Sequence, residues 1–293
     1  FAPVSTQSQP YPFERGCEVV EKRFRQYSDR MGDFAARTFR ERWIDAEPRV
    51  GKQDGAYCQD YAGGVSRILM NYKPTIESVS TLAHELGHAY HAMCLDGLTY
   101  LQQDVPMTLA ETASIFCETI LKKSELAEMS DEESLPVLDA SLEGCCQVVV
   151  DISSRFYFES AVFDGRQDRE LSAQELCELM LDAQRNTYGD GLDASLLHPF
   201  MWAVKGHYYS PNLSFYNYPY MFGLLFGLGL YAIYERDPES FKARYDDLLR
   251  RTGMKDAAGL AAEFGIDIRS EEFWLSSLMV IKKDIDRFVN LVG

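Results

Sequence analysis

His84, Glu85 and His88 stand in the run Ser80-Thr81-Leu82-Ala83-His84-Glu85-Leu86-Gly87-His88-Ala89-Tyr90-His91 at the spacing His-Glu-x-x-His. On a helix, residues four apart point from one face, so the two imidazoles can aim a nitrogen each at one tetrahedral zinc ion. Glu85 falls about 100° round such a helix and cannot share that role. It can reach a water on the metal, which is where hydrolysis needs a general base. Helix surfaces also produce this pattern by chance, but three of the chain's five histidines fall between positions 84 and 91.

A catalytic zinc takes a third protein ligand. His91 lies on nearly the same face, yet about 10.5 Å along the axis from His84, so packing or a contact behind the metal suits it better. The other candidate is Glu111, in Thr108-Leu109-Ala110-Glu111-Thr112-Ala113-Ser114. Thr108-x-x-Glu111 is also the spacing of a helix capping box, and on the residues alone both readings stand. Glu118 is seven residues further on and shares Glu111's face. It could accept the free N–H of a metal-bound imidazole or simply be a solvated helix glutamate.

The elements that must position these groups are mainly helical. Apolar residues recur at helical spacing from Pro12 to about Arg42. Gly55, Gly63-Gly64 and the run Val65-Ser66-Arg67-Ile68-Leu69-Met70 predict a hairpin or small sheet within 51–72. Thr75 is a candidate N-cap for a helix that carries the histidines to about Leu95, where Asp96-Gly97 stops it. Further helices are expected over Thr108–Glu128, Leu135–Phe163, Ser172–Tyr188, Tyr218–Tyr234, Pro238–Arg251 and Ser270–Leu291. No repeat or Ser/Gly linker separates two halves, so residues 1–293 read as one catalytic domain.

Composition narrows the function classes. A formal net charge of −16 leaves no cationic excess to displace phosphate counterions, which argues against nucleic acid as a partner, and it repels anionic membrane surfaces. The apolar stretch Met221–Tyr234 is interrupted by Gly223, Gly227 and Gly229 and falls short of the roughly 20 residues a membrane span needs. It reads as a buried core helix. Seven cysteines without regular spacing fit reduced thiols and a cytoplasmic location. Phe1-Ala2-Pro3 carries no initiating Met and no signal pattern, so the chain reads as a fragment or processed form.

The histidine run and the segment Ala110-Glu111-Thr112-Ala113-Ser114 together closely resemble the oligoendopeptidase F branch of the thimet oligopeptidase family. Glu41-Arg42-Trp43-Ile44-Asp45, Gly55-Ala56-Tyr57 and Ile68-Leu69-Met70-Asn71-Tyr72 resemble family segments in matching order. The likeness is densest over 40–120 and 198–235. It implies a zincin-like, helical metallopeptidase catalytic domain with His84, His88 and Glu111 on one zinc ion per chain, and beside these ligands helix spacing gives Glu85 as general base and Glu118 behind the metal. Gly55-Ala56-Tyr57 resembles an edge strand to which a peptide could add.

The resemblance extends to His207-Tyr208-Tyr209-Ser210-Pro211-Asn212-Leu213-Ser214-Phe215-Tyr216-Asn217-Tyr218-Pro219-Tyr220. Family members have a histidine followed by tyrosines on a loop facing the zinc, which implies substrate and oxyanion roles for His207, Tyr216 and Tyr220. Alternate tyrosines also simply pack. Members are about twice this long, so the chain corresponds to their C-terminal half, with the N-terminal half as a missing partner. The implied function is zinc-dependent cleavage of internal bonds in short oligopeptides. A zinc carboxypeptidase and a catalytically silent peptide-binding fragment are the rivals. Glu85 speaks against the second, since a purely structural zinc has no use for it.

Overall fold

The computed structural model describes residues 10–210, 212 and 214–293. Phe1-Ala2-Pro3, and Pro211 and Leu213 of the tyrosine-rich run, lie outside them. The chain divides into two compact units, the first running to Ser141 and resuming from Gly223 to Gly293, the second covering Leu142–Phe222.

In the first unit, α1 (Phe13–Tyr27) and α2 (Asp29–Arg40) meet at Ser28, which ends one helix and caps the next by accepting the Met31 N–H at 3.2 Å. Their apolar faces bury Val20, Phe24, Met31 and Phe34. Arg23, only 4% exposed, donates to Glu125 at 2.6 Å and grips Glu128 with two further bonds of 2.6 Å. That charge is buried but fully paired, the condition under which a buried ion is tolerated.

The expected hairpin forms. β2 (Ala56–Tyr61) runs antiparallel to β3 (Val65–Met70), in a register that pairs Ala56 with Met70 and Tyr61 with Val65. Gly63 and Gly64 take positive φ in the turn, a region that costs other residues a steric penalty. β1 (Ile44–Asp45) joins parallel to β3, so the sheet order is β1-β3-β2 and β2 is an edge.

α3 (Ile76–Leu95) starts at Thr75, whose Oγ1 accepts the Ser78 N–H, and packs against α1, β2, β3 and two later helices, α5 (Thr112–Glu128) and α10 (Pro238–Arg250). It buries Val79, Leu82, Ala83, Leu86, Ala89 and Tyr90. The helix expected over 108–128 is divided instead: α4 (Met107–Ala110) ends at Glu111, whose backbone (φ −89°, ψ 5°) interrupts the spiral before α5 begins. Thr112 donates its hydroxyl back to the Leu109 carbonyl at 2.7 Å. Such local side-chain bonds compete with helical ones.

Between Asp131 and Gly165 the chain is helical as expected but not uniformly so. α6 (Asp131–Cys146) passes through a π-helical turn at Gln147–Asp151 into α7 (Ile152–Gly165). α8 (Ala173–Tyr188) opens with a capping box between Ser172 and Glu175. Within the second unit α7 and α8 bury Phe158, Met180 and Ala183, with Trp202 and Tyr208 packed against them.

α9 (Tyr218–Arg236) contains Met221–Tyr234, with Phe226 and Leu230 fully buried. α10, the short α11 (Ala257–Glu263) and α12 (Glu271–Val292) complete the chain. Tyr27, Phe116, Tyr234, Phe241 and Tyr245 form one aromatic cluster, its tightest pair Phe116 and Tyr245 at 4.6 Å between ring centres. No helix among the described residues is long and apolar enough to cross a membrane.

Candidate metal centre

One turn of α3 sets His84 above His88 with ring centres 5.0 Å apart. The break between α4 and α5 turns the Glu111 carboxylate toward them: its Oε2 lies 3.2 Å from His84 Nε2 and 3.3 Å from His88 Nε2. Among the described residues these three form the one group of His, Cys, Asp or Glu side chains with donor atoms all within 4.8 Å. Thr108 sits inside α4, behind an N-cap at Pro106, and the Glu111 carboxylate is occupied at the histidines, so the capping-box geometry is not adopted.

His84 is held from behind. Its Nδ1 lies 3.1 Å from Glu118 Oε2, while Glu118 Oε1 receives Ser80 Oγ at 3.1 Å and the Lys122 ammonium at 2.6 Å. Burial pushes Glu118 upward, but Lys122 and His84 outweigh it and hold its carboxyl well below the usual range. Anchored through Nδ1, the ring presents Nε2 to the centre. Such outer carboxylates typically contribute 10–100-fold to metal affinity. Glu118→Ala is therefore expected to weaken zinc binding by about that factor, measured by competition with a chromophoric chelator, and an unchanged affinity would remove Glu118 from the site.

The donor set can be tested against zinc by geometry. Donors about 2.0–2.1 Å from a tetrahedral ion lie roughly 3.4 Å from one another, close to the 3.2 and 3.3 Å observed. The electrostatics agree: burial would lower His84, yet hydrogen bonding to Glu111 and Glu118 raises it to about 10, so this pocket of carboxylates favours a cation among them. Glu85 is 5% exposed and its Oε2 is buried without a protein partner. Burial raises its pKa, with His84 and His88 opposing. The residues fit a three-ligand metal site with a carboxylate beside it.

His91 does not join the group. Its Nε2 lies 2.7 Å from Thr252 Oγ1 and 3.2 Å from the Leu249 carbonyl, so it fastens α3 to the end of α10. Burial keeps it neutral, pushing its pKa down to about 4.

His207, Tyr216 and Tyr220 belong to the second unit, where they form a cluster of their own. The His207 and Tyr216 rings are 5.9 Å apart and the Tyr216 and Tyr220 hydroxyls meet at 3.0 Å. Tyr218 turns aside to pack edge-on against Phe156. Buried Glu159 accepts the Phe215 N–H at 2.7 Å, and Arg155 donates to Asn217 at 2.9 Å. These bonds hold Phe215 at φ 56°, a conformation unfavourable for a bulky residue. His207 Nε2 is buried without a protein partner.

Sequence reasoning missed several supports. Lys122 stands four residues after Glu118, an i,i+4 pair that was legible as such, but Ser80 and Ser114, whose Oγ lies 2.6 Å from Glu111 Oε2, gave no signal. Gly87 gave none either. A Cβ there would lie 2.6 Å from Ser114 Cα and 2.7 Å from the Ala113 carbonyl, so the glycine lets α3 touch the backbone of α5. Gly87→Ala should cost at least the ~1–3 kcal/mol typical of overpacking. Thermal unfolding should show a lowered midpoint, and an unchanged one would mean the helices are not in this contact.

The predominantly helical fold brings two histidines of α3 and a glutamate from the junction of α4 and α5 to a single point. The family model described as Peptidase family M3 matches residues 18–280, and the chain belongs to that family. It is 25% identical over 295 residues to the chromosomal oligoendopeptidase F of Lactococcus lactis subsp. cremoris, covering 100% of this chain and 48% of that protein. It is 24% identical over 299 residues to the group B oligopeptidase PepB of Streptococcus agalactiae serotype III (strain NEM316), covering 100% and 49%. A crystal structure from Chlamydophila abortus, described as a peptidase, superposes with a TM-score of 0.84 at 23% identity, over 98% of this chain and 48% of that one. The chain thus spans about half the length of the curated relatives it matches.

Proposed function

We propose that the chain is the catalytic part of a zinc-dependent endopeptidase acting on short oligopeptides, with His84, His88 and Glu111 as ligands and Glu85 as general base. The observation that carries this reading is the convergence of those three donors beside the buried, unpartnered carboxylate oxygen of Glu85. Family membership makes peptide bonds the expected substrate.

Zinc, when bound, polarises the scissile carbonyl and acidifies water. Glu85, one residue from His84 on the same helix, takes the proton from the attacking water and delivers it to the leaving amine. Glu118 keeps His84 oriented. For His207 with Tyr216 or Tyr220 it is the family resemblance that supports a role in holding substrate and donating hydrogen bonds to the oxyanion, a contribution worth about 3–4 kcal/mol for a well-placed donor. The edge strand β2, opened by Gly55-Ala56-Tyr57, offers backbone groups to which an extended peptide can add. The relatives' extra length supplies the reason to expect a partner segment.

An internally quenched peptide blocked at both termini separates this reading from its rival. Chelator-sensitive cleavage is expected, since an endopeptidase needs no free end. Cleavage confined to a free C-terminus would make the enzyme a carboxypeptidase. Binding of intact peptide without turnover would favour a silent peptide-binding fragment.

A further inference from the structure

We propose that Gly223 is a positioning residue for the Glu111 carboxylate: the bare backbone of α9 at this point fixes where the third metal ligand stands. The proposal rests on the metallopeptidase reading. It starts from the fact that Glu111 lies between two helices, with a backbone (φ −89°, ψ 5°) outside the regular spiral, so regular helix geometry does not by itself fix where its side chain stands.

Two contacts confine the side chain. Ser114 Oγ holds the carboxylate end at 2.6 Å. At the other end a Cβ at Gly223 would stand 2.7 Å from Glu111 Cβ and 3.2 Å from Cγ. One turn on, a Cβ at Gly227 would stand 2.6 Å from Ile115 Cγ2. Residues four apart share a helix face, so α9 presents two glycines in succession to the start of α5. Gly229 lies on another side of α9 and faces Phe273 and Ser277 of α12. The three glycines that interrupt the apolar stretch of α9 therefore divide in purpose: two admit α5, and one of these touches the ligand itself.

An added methyl at Gly223 must be accommodated by a shift of about 0.7 Å to restore an ordinary 3.4 Å contact with Glu111 Cβ. Metal–ligand distances tolerate only about 0.2 Å, so that shift reaches the metal centre. Weakening of roughly 10–100-fold in zinc affinity is expected, the scale seen when an orienting partner of a ligand is lost.

The test compares the parent chain with Gly223→Ala and Gly229→Ala. Zinc affinity is read by competition with a chromophoric chelator, and ligand geometry by the visible absorption of the cobalt-substituted protein. Gly223→Ala should bind zinc more weakly and shift the cobalt bands. Gly229→Ala, which is as crowded but remote from the ligands, should lower the unfolding temperature and leave both metal readouts as in the parent. Parental affinity and spectrum in Gly223→Ala, or an equal loss in Gly229→Ala, would overturn the proposal.

Thermal unfolding of the metal-free chain supplies a second, independent measurement. The loss of stability caused by Gly223→Ala should largely vanish when Glu111 is replaced by glycine, because the clashing atoms are then gone. This holds also if Gly223→Ala alone does not fold: Glu111→Gly should restore folding, and failure to do so overturns the contact. A parent chain that binds no zinc would sink the metallopeptidase reading, while this cycle would still decide the contact.

Discussion

Glu85→Gln should leave zinc in place and remove most hydrolysis, a loss on the order of 10²–10⁴-fold, the range general-base catalysis contributes. Gln matches Glu in shape, so the α3 scaffold and the ligands His84 and His88 on either side of the substitution are undisturbed. What changes is proton affinity, because an amide cannot take a proton from water. The burial that raises the Glu85 pKa also keeps bulk water from standing in for it. Retained zinc with near-normal turnover would show the general-base assignment to be wrong, and loss of zinc would show that Glu85 holds the site together.

The second large effect is expected at Glu111. Replacing it by Ala removes the only carboxylate of the donor group and leaves His84 and His88 facing each other without the anion between them. Zinc affinity should fall by more than the roughly 10–100-fold associated with an outer partner such as Glu118, with activity lost in parallel. Elemental analysis after gel filtration measures it. Unchanged zinc content would mean that another residue completes the site. His91 does not belong to the group of donor atoms that lie within 4.8 Å of one another.

Much of this was legible in the sequence because it rests on short-range rules. A helix makes His84 and His88 neighbours whatever surrounds it. Gly63-Gly64 between two runs of strand character marks a hairpin. The pattern also placed Thr75 at a helix start, and Ser172 opens α8 with Glu175 three residues on. Other features were hidden because they belong to the tertiary structure. Ile44–Asp45 is too short for alternation to register, and it becomes a strand only because β3 lies alongside. α11 has seven residues, less than two full turns of pattern. The break at Glu111 looks like continuous helix in sequence, since periodicity does not report the turn of its backbone or the bond from the Thr112 hydroxyl to the Leu109 carbonyl.

The candidate site divides the same way. Spacing proposed the histidines, and the family resemblance chose Glu111 over the capping box. Spacing could not find Gly87 or Gly223, whose significance is the absence of a side chain where another helix arrives. Among the tyrosines, the 216 and 220 positions are four apart on a chain entering α9, and their hydroxyls meet, while Tyr218 between them packs on Phe156.

The most direct test of the metallopeptidase reading is the zinc content of the purified chain, taken together with cleavage of a doubly blocked fluorogenic peptide before and after chelation. One zinc per chain is expected at the His84–His88–Glu111 group, with cleavage that stops when the metal is removed and recovers on adding zinc back. A chain that retains no metal, or that cleaves equally well after chelation, would contradict that reading.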